Sequence, residues 1–270
     1  MVPWLFQQEA NAVDSVNKTL YIPLYGKSYI SKRGIILNDP KAEEIWEMEG
    51  FSLKGKSASK WLAFYMGMRA AVFDRWVCEK LREFPDAVVL HLGCGLDSRC
   101  LRTGTGRMWY DVDFPDVIAA RKRYYPESDH YQMIGADVRD CTYLSNLAGN
   151  DAIVVMEGIS MYLTQEELRQ LLGSLTERFD SVHLLMDCYT EFAAKASKFK
   201  NPINDVGVTQ VYGLDDPRIL QSDGLAFVKE PEMTPQYLID ELHGMEKFIF
   251  RKLYAGGVAK KMYRLYEYRT

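Results

Sequence analysis

Apolar positions in this chain follow a helical period first, then come in short continuous runs, and each regime predicts its own elements. From Lys56 to Phe84, KSASKWLAFYMGMRAAVFDRWVCEKLREF, the residues Trp61, Phe64, Tyr65, Met68, Val72, Phe73, Trp76 and Val77 recur at helical spacing and predict one long helix. Pro85 ends it, because proline pushes the preceding residue out of helical geometry. The runs AVVLHL (87–92), RMWYDVDF (107–114), HYQMIGADV (130–138), DAIVVMEG (151–158) and SVHLLMDCY (181–189) predict strands. Between them, PDVIAARKRYY opens on Pro115 as a helix does. TQEELRQLLGSLTERF carries a capping box of Thr164 and Glu167. Strands alternating with helices predict a parallel sheet covered on both faces.

The last third is different. Residues 198–224 are rich in Asn, Asp, Gly and Pro and read as loop, on the substrate side of any site. LAFVKEP (225–231) predicts a strand, TPQYLIDELHGMEKFIFRKLYAGG (234–257) a helix, and KMYRLYEYR (261–269) a closing strand. With no repeat, low-complexity tract or linker, the expectation is one domain over 1–270 with a helical extension over 1–84.

Ligands of an open parallel sheet bind beyond the carboxyl ends of its strands, so the residues at those ends carry the functional reading. The first strand runs into Gly93, Cys94 and Gly95, a turn that either lets backbone approach a ligand or serves only to reverse the chain. The second ends at Asp113, about 20 residues on, where a carboxylate takes the hydroxyls of a ribose or caps the helix at Pro115. The third leads to Asp137 and Val138, placed to frame an adenine, although Asp137 also suits an ordinary turn. The fourth ends at Glu157 and Gly158, where a carboxylate can meet an ammonium group.

Arg99 stands where a dinucleotide fingerprint has its third glycine, and Asp97 puts a negative charge beside that helix start. Both disfavour a diphosphate, which needs bare backbone amides. A nucleoside without phosphate, as in S-adenosylmethionine, fits better than a nicotinamide cofactor.

Composition narrows the class further. The 270 residues are 47% hydrophobic and 26% charged with a formal net charge of −4, which excludes a nucleic-acid binder relying on a general basic field. Five cysteines without a Cys-x-x-Cys pair and four scattered histidines give neither a disulfide framework nor a metal site. No apolar stretch nears the roughly 20 residues of a membrane span, and the N-terminus lacks a signal-peptide pattern; a cytoplasmic protein without a membrane partner is expected.

HLGCGLDSRCLR, WYDVDFPDVIAARK, VVMEGISMYLTQEEL and YGLDDPRIL, together with SKRGIILNDPKAEE and MGMRAAVFDRWV upstream, resemble the leucine carboxyl methyltransferase family, in particular its bacterial branch of polyketide-type O-methyltransferases. The resemblance implies a class I S-adenosylmethionine-dependent methyltransferase fold, α/β, with a seven-stranded, mostly parallel sheet whose last strand is antiparallel. It implies Arg69, assisted by Lys32 or Arg33, on the cofactor carboxylate. Gly93 would lie at the methionine portion, Asp113 on the ribose, Asp137 and Val138 around the adenine and Glu157 at the amino group. His91 departs from the family, which commonly has Glu or Asn there.

The acceptor is expected to be a small molecule bearing a carboxylate or a hydroxyl. Tyr21, Tyr25, Tyr29, Tyr162 and Tyr189 are its expected contacts, although Tyr21, Tyr25 and Tyr29 read equally as packing aromatics. A hydroxyl would need a base, for which Asp187 and His183 are candidates, and Tyr162 and Tyr189 complete the catalytic candidates. The alternatives are methylation of a protein C-terminus, a cofactor-binding homologue without catalysis, and a nicotinamide-dependent dehydrogenase.

Overall fold

The computed structural model describes residues 20–50, 52–53, 55–104, 106–197, 210–222 and 224–270. The first part of the expected helical extension (1–19) and much of the 198–224 segment lie outside the described residues. Among the described residues three helices precede the sheet: α1 (Tyr21–Lys32), α2 (Pro40–Glu49) and α3 (Lys60–Glu83). Periodicity did not reveal α2, yet its start is chemically marked: Asp39 caps it by accepting the Ala42 amide at 3.0 Å, and Pro40 takes the first position. The helix expected from Lys56 begins at Lys60, capped by Ser59, after a single tight turn over Gly55–Ala58.

The strands are β1 (Val88–Leu92), β2 (Trp109–Asp113), β3 (Tyr131–Gly135), β4 (Asp151–Met156), β5 (Ser181–Tyr189), β6 (Ala226–Lys229) and β7 (Tyr263–Arg269). They form one sheet in the order β3-β2-β1-β4-β5-β7-β6. β1 to β5 run parallel, and β7 pairs antiparallel with both β5 and β6, which is the expected seven-stranded arrangement. α4 (Arg99–Thr103) follows β1, α5 (Pro115–Arg121) follows β2, and α6 (Gln165–Arg178) follows β4 with the predicted capping box formed.

Alternation along the strands separates two cores. Val89, Ile153, Val155, Leu185 and Leu265 face the side covered by the three N-terminal helices, while Leu90, Val154, Leu184 and Tyr266 face the side covered by Leu168, Leu172 and Leu175 of α6. Because both faces are buried, the central strands read in sequence as continuous apolar runs. After β5 the chain forms α7 (Glu191–Ser197). The helix expected over 234–257 is two short ones, α8 (Gln236–Ile239) and α9 (Gly244–Leu253), and a third, α10 (Gly257–Lys260), follows from its last residue. Gly244 at φ +52° and Gly256 at φ +59° break it, since left-handed backbone cannot continue a helix. Among the described residues no helix is long and apolar enough to cross a membrane.

β1 has β2 on one side and β4 on the other, so strand order reverses there and a cleft opens beyond the carboxyl ends.

Candidate active site at the carboxyl ends of the strands

A cavity of about 370 Å³ occupies that cleft. Its floor is the turn after β1. Gly93 and Gly95 have φ of +66° and +52°, and a Cβ on Gly93 would stand 1.9 Å from Ile159 Cγ2, so both the conformation and the packing require glycine. Between them the Cys94 thiol is buried, and burial raises its pKa well above the ordinary value.

Asp113 ends β2 at the cavity wall. Its Oδ2 accepts the Gly95 amide at 2.8 Å and its Oδ1 the Phe114 amide at 2.8 Å. Burial drives its pKa up, these two amides and Arg121 pull it back, and the balance is about 6. It thus fixes the glycine turn while each oxygen keeps a lone pair for a ligand. Asp111, two residues earlier on the same strand face, is wholly buried and serves the frame instead. It accepts Trp109 Nε1 and the Tyr131 hydroxyl at 2.8 and 2.6 Å and pairs with Arg121, whose Nη1 reaches the Gly95 carbonyl at 3.0 Å. Opposed by burial, Arg121 and His91 still hold its carboxyl down to about 2.

Asp137, Val138 and Arg139 line the next part of the cavity. Asp137 is gripped by Arg139 Nε at 2.9 and 3.0 Å and by the Arg139 amide at 3.0 Å. Burial raises the Asp137 carboxyl, but those bonds outweigh it and hold the pKa below normal.

At the opposite end lies a buried ionic lattice. Glu157, at the end of β4, accepts Arg69 Nε of α3 at 2.9 Å and pairs with Arg99 Nη2. Arg69 Nη1 also donates to Asp187 of β5 at 2.7 Å and to the Tyr263 hydroxyl at 3.2 Å. Burial alone would raise the Glu157 carboxyl; Arg99, Arg69 and Lys27 hold it below the usual carboxylate range. Gly158, at φ +80°, packs against Arg69, and a Cβ there would stand 3.4 Å from its Nη2. Arg99 has no exposed surface and reaches Asp74 at 2.7 Å and Asp97 at 3.2 Å, with its Nη1 3.4 Å from His91 Nε2. His91 lines the cavity, and burial, against the pull of Asp111, lowers its pKa.

The structure brings Arg69, Gly93, Cys94, Gly95, Asp113, Asp137, Val138, Glu157, Gly158, Tyr162 and Tyr189 to one cavity. It does not bring Lys32, Arg33, Tyr21, Tyr25 or Tyr29 there. Lys32 pairs with Glu47 at 2.7 Å and Arg33 with Glu246 at 2.7 Å, both at the surface. Tyr25 packs against Trp46 and Tyr29, and Tyr29 against Phe64. The cause is helical rotation. Positions 21, 25, 29 and 32 form one stripe of α1, whereas Pro23, Leu24 and Lys27 form the stripe that faces the cavity, joined at the start of the helix by Leu20 and Ile22.

Lys27 is therefore the cation that α1 supplies. It is 3% exposed and 2.9 Å from Asp97 Oδ1. A single charge inside the aromatic stretch LYIPLYGKSYI was the signal that could have found it. Two other candidates also move. Asp187 does not line the cavity but lies behind Arg69, bonded to that guanidinium and to the Gly158 amide at 2.7 Å; burial, partly offset by these, raises its pKa to about 6. His183 stacks on Phe84 at 3.8 Å, away from the cavity.

The leucine carboxyl methyltransferase family profile matches residues 10–176. The tetracenomycin polyketide synthesis O-methyltransferase of Streptomyces glaucescens is 31% identical over 248 residues, covering 89% of this chain and 92% of that protein. An S-adenosyl-L-methionine-dependent methyltransferase of Gibberella zeae is 27% identical over 230 residues, covering 76% of this chain and 77% of that protein. Among solved structures, magnesium protoporphyrin IX methyltransferase from Synechocystis with bound SAH has a TM-score of 0.49 at 12% identity, covering 90% of this chain and 99% of its own. The chain belongs to the leucine carboxyl methyltransferase family and is an S-adenosylmethionine-dependent methyltransferase.

Proposed function

We propose that the protein methylates an oxygen of a small, largely apolar molecule, and that a carboxylate is the acceptor its site suits best. S-adenosylmethionine supplies the methyl group on a positively charged sulfur. Asp113 receives the ribose hydroxyls, Asp137 and Val138 frame the adenine, and the turn at Gly93, Cys94 and Gly95 allows close backbone approach. Lys27 and Arg69 hold the carboxylate of the amino-acid tail, with Glu157 and Gly158 at its ammonium. Residues 1–270 act as one domain in this reading, and the N-terminal helices are part of the cavity wall.

One observation carries the choice of acceptor. Among the described residues lining the cavity, no carboxylate or imidazole stands ready as a base: Asp113, Asp137, Glu157 and Asp97 are bonded within the protein, and His91 is packed between Asp111 and Arg99. A carboxylate acceptor needs no proton removed, and its charge cancels that of the sulfur as the methyl moves, which a dry cavity favours. Leu20, Ile22, Leu24, Leu62, Met66 and Met161 supply that dryness, with Tyr162 and Tyr189 as amphipathic contacts for the acceptor.

The test is to supply methyl-labelled S-adenosylmethionine with a small-molecule extract and treat the product with mild alkali. Release of labelled methanol is expected, as from a methyl ester. An alkali-stable product, an ether among them, would refute the carboxylate reading; label found on polypeptide would refute the small-molecule reading.

A further inference from the structure

Ten large hydrophobic side chains are exposed among the described residues, and five of them fall within residues 245–262: Met245 (70%), Phe248 (54%), Leu253 (59%), Val258 (46%) and Met262 (41%). Interspersed with them are five cations, Lys247, Arg251, Lys252, Lys260 and Lys261. Their sole acidic companion in the segment, Glu246, is bonded to Arg33 at 2.7 Å and to Lys60 at 2.9 Å, which brings two further cations to the same surface. Asp240 pairs with Lys247 at 2.7 Å and lies within electrostatic reach of Arg251, which leaves Lys252, Lys260 and Lys261 beyond its influence. In a chain whose net charge is −4, this segment inverts the local sign.

α9 turns only Phe250 fully inward, where it meets Phe64 at 6.1 Å. Met245, Phe248 and Lys252 recur at helical spacing on its outer stripe, with the Lys252 ammonium 5.0 Å above the Phe248 ring. An outer face of apolar tips ringed by lysine and arginine is the pattern of a helix lying in a membrane interface.

We infer that residues 245–262 form a docking surface for an anionic lipid bilayer. The contact is peripheral: cations meet lipid headgroups while the apolar tips enter the acyl boundary. Charge complementarity selects the occupant. The apolar side chains project singly between cations, which a fluid bilayer accommodates without matched pockets, whereas a protein partner would need a pocket for each. The surface is also joined to the cavity wall. Tyr254 stacks on Trp61 of α3 at 5.5 Å, and Glu246 ties α9 to the end of α1 and the start of α3, the two helices that carry Lys27 and Arg69. Docking would turn that wall toward the lipid phase, where apolar acceptors concentrate.

Vesicle flotation of the full chain tests this. At low salt the protein should float with vesicles of equal parts phosphatidylglycerol and phosphatidylcholine, stay behind with phosphatidylcholine alone, and be released by high salt. Each cation at an anionic surface strengthens partitioning about five-fold, so the double variant Arg251→Glu/Lys252→Glu should bind at least about 25-fold more weakly. Met245→Ser/Phe248→Ser should also lose binding, with S-adenosylhomocysteine affinity unchanged in both variants as the check on folding. Failure of the wild type to float with phosphatidylglycerol at low salt, or equal flotation of the variants, would overturn the proposal. Retention on immobilised polyglutamate without flotation would overturn it in favour of an acidic protein partner.

Discussion

Replacing Asp113 with asparagine should separate cofactor affinity from fold stability, because that carboxylate is costly to the empty protein and valuable to the complex. Burial raises its pKa from 3.8 to about 6, a penalty on the ionised form of ~3 kcal/mol at neutral pH. Asp113→Asn removes that penalty but turns an amide N–H toward the backbone N–H of Gly95 or Phe114, a loss of about 1–3 kcal/mol. The two nearly cancel, so the melting temperature of the empty protein should change by only a few degrees. In the complex, two charge-assisted hydrogen bonds of about 1.5–3 kcal/mol each become neutral ones of about 0.5–1.5 kcal/mol. Affinity for S-adenosylhomocysteine, measured by calorimetry, should therefore fall about 30- to 150-fold. Wild-type affinity should also weaken as pH falls through about 6, since protonation removes an acceptor, while Asp113→Asn shows no such dependence. For stability the sign is opposite: a raised carboxyl pKa costs folding energy above about 6, and the cost is relieved as pH drops toward its unfolded value. Asparagine binding as well as aspartate, with the wild-type affinity flat across that pH window, would refute the placement of the ribose at Asp113.

Lys27→Met should weaken S-adenosylhomocysteine about ten-fold or more yet leave 5′-methylthioadenosine, which lacks the amino-acid tail, unchanged in calorimetry; equal losses for both would remove Lys27 from the tail. Arg99→Leu removes one buried cation from Asp74, Asp97 and Glu157, which keep Arg102, Lys27 and Arg69 as their remaining partners, and should cost about 3 kcal/mol, read as a drop of about 6–12 °C in melting temperature. Gly93→Ala sets a Cβ 1.9 Å from Ile159 at positive φ and should abolish S-adenosylhomocysteine binding, with the double variant Gly93→Ala/Ile159→Ala recovering only part of it because the backbone strain remains.

The sheet was legible because it is buried on both faces. Val88–Leu92, Asp151–Met156 and Ser181–Tyr189 are continuous runs that a helix period does not fit, and each strand appears within a residue or two of its run. The strand-end residues were legible for the same reason, since the end of a run fixes what stands at the sheet edge. What escaped lies where a period alone cannot say which face turns inward. In LYIPLYGKSYI the tyrosines are the larger signal, but a helix carries them together with Lys32 onto the stripe that meets Trp46, Phe64 and Glu47, and only the fold shows that Lys27 faces the cavity. Asp187 stands at the end of its strand as expected. The long guanidinium of Arg69, arriving from a helix more than a hundred residues earlier, covers it, and no local pattern encodes such a contact.

Arg99 in place of a third glycine now has a physical account. In a diphosphate site the helix start offers bare amides to an anion. Here it carries a guanidinium that turns inward, binds Asp74, Asp97 and Glu157, and leaves the helix start to a carboxylate, Asp97, which Lys27 and Arg102 neutralise at 2.9 and 3.0 Å. Apolar residues of equal volume would hold these elements together as well or better, so stability alone does not explain so many buried ions. Their effect is positional. Glu157 and Arg69 reach the cavity already ionised and already oriented, each fixed by a partner on a different element. In the proposed complex a zwitterionic tail would meet charges that need little rearrangement, where a hydrated surface pair would have to shed water and lose side-chain freedom. The same lattice ties α1, α3, the glycine turn, β4 and β5 into one frame, so Lys27, Arg69 and Glu157, the groups proposed for the tail, cannot shift independently of the turn that Asp113 fixes.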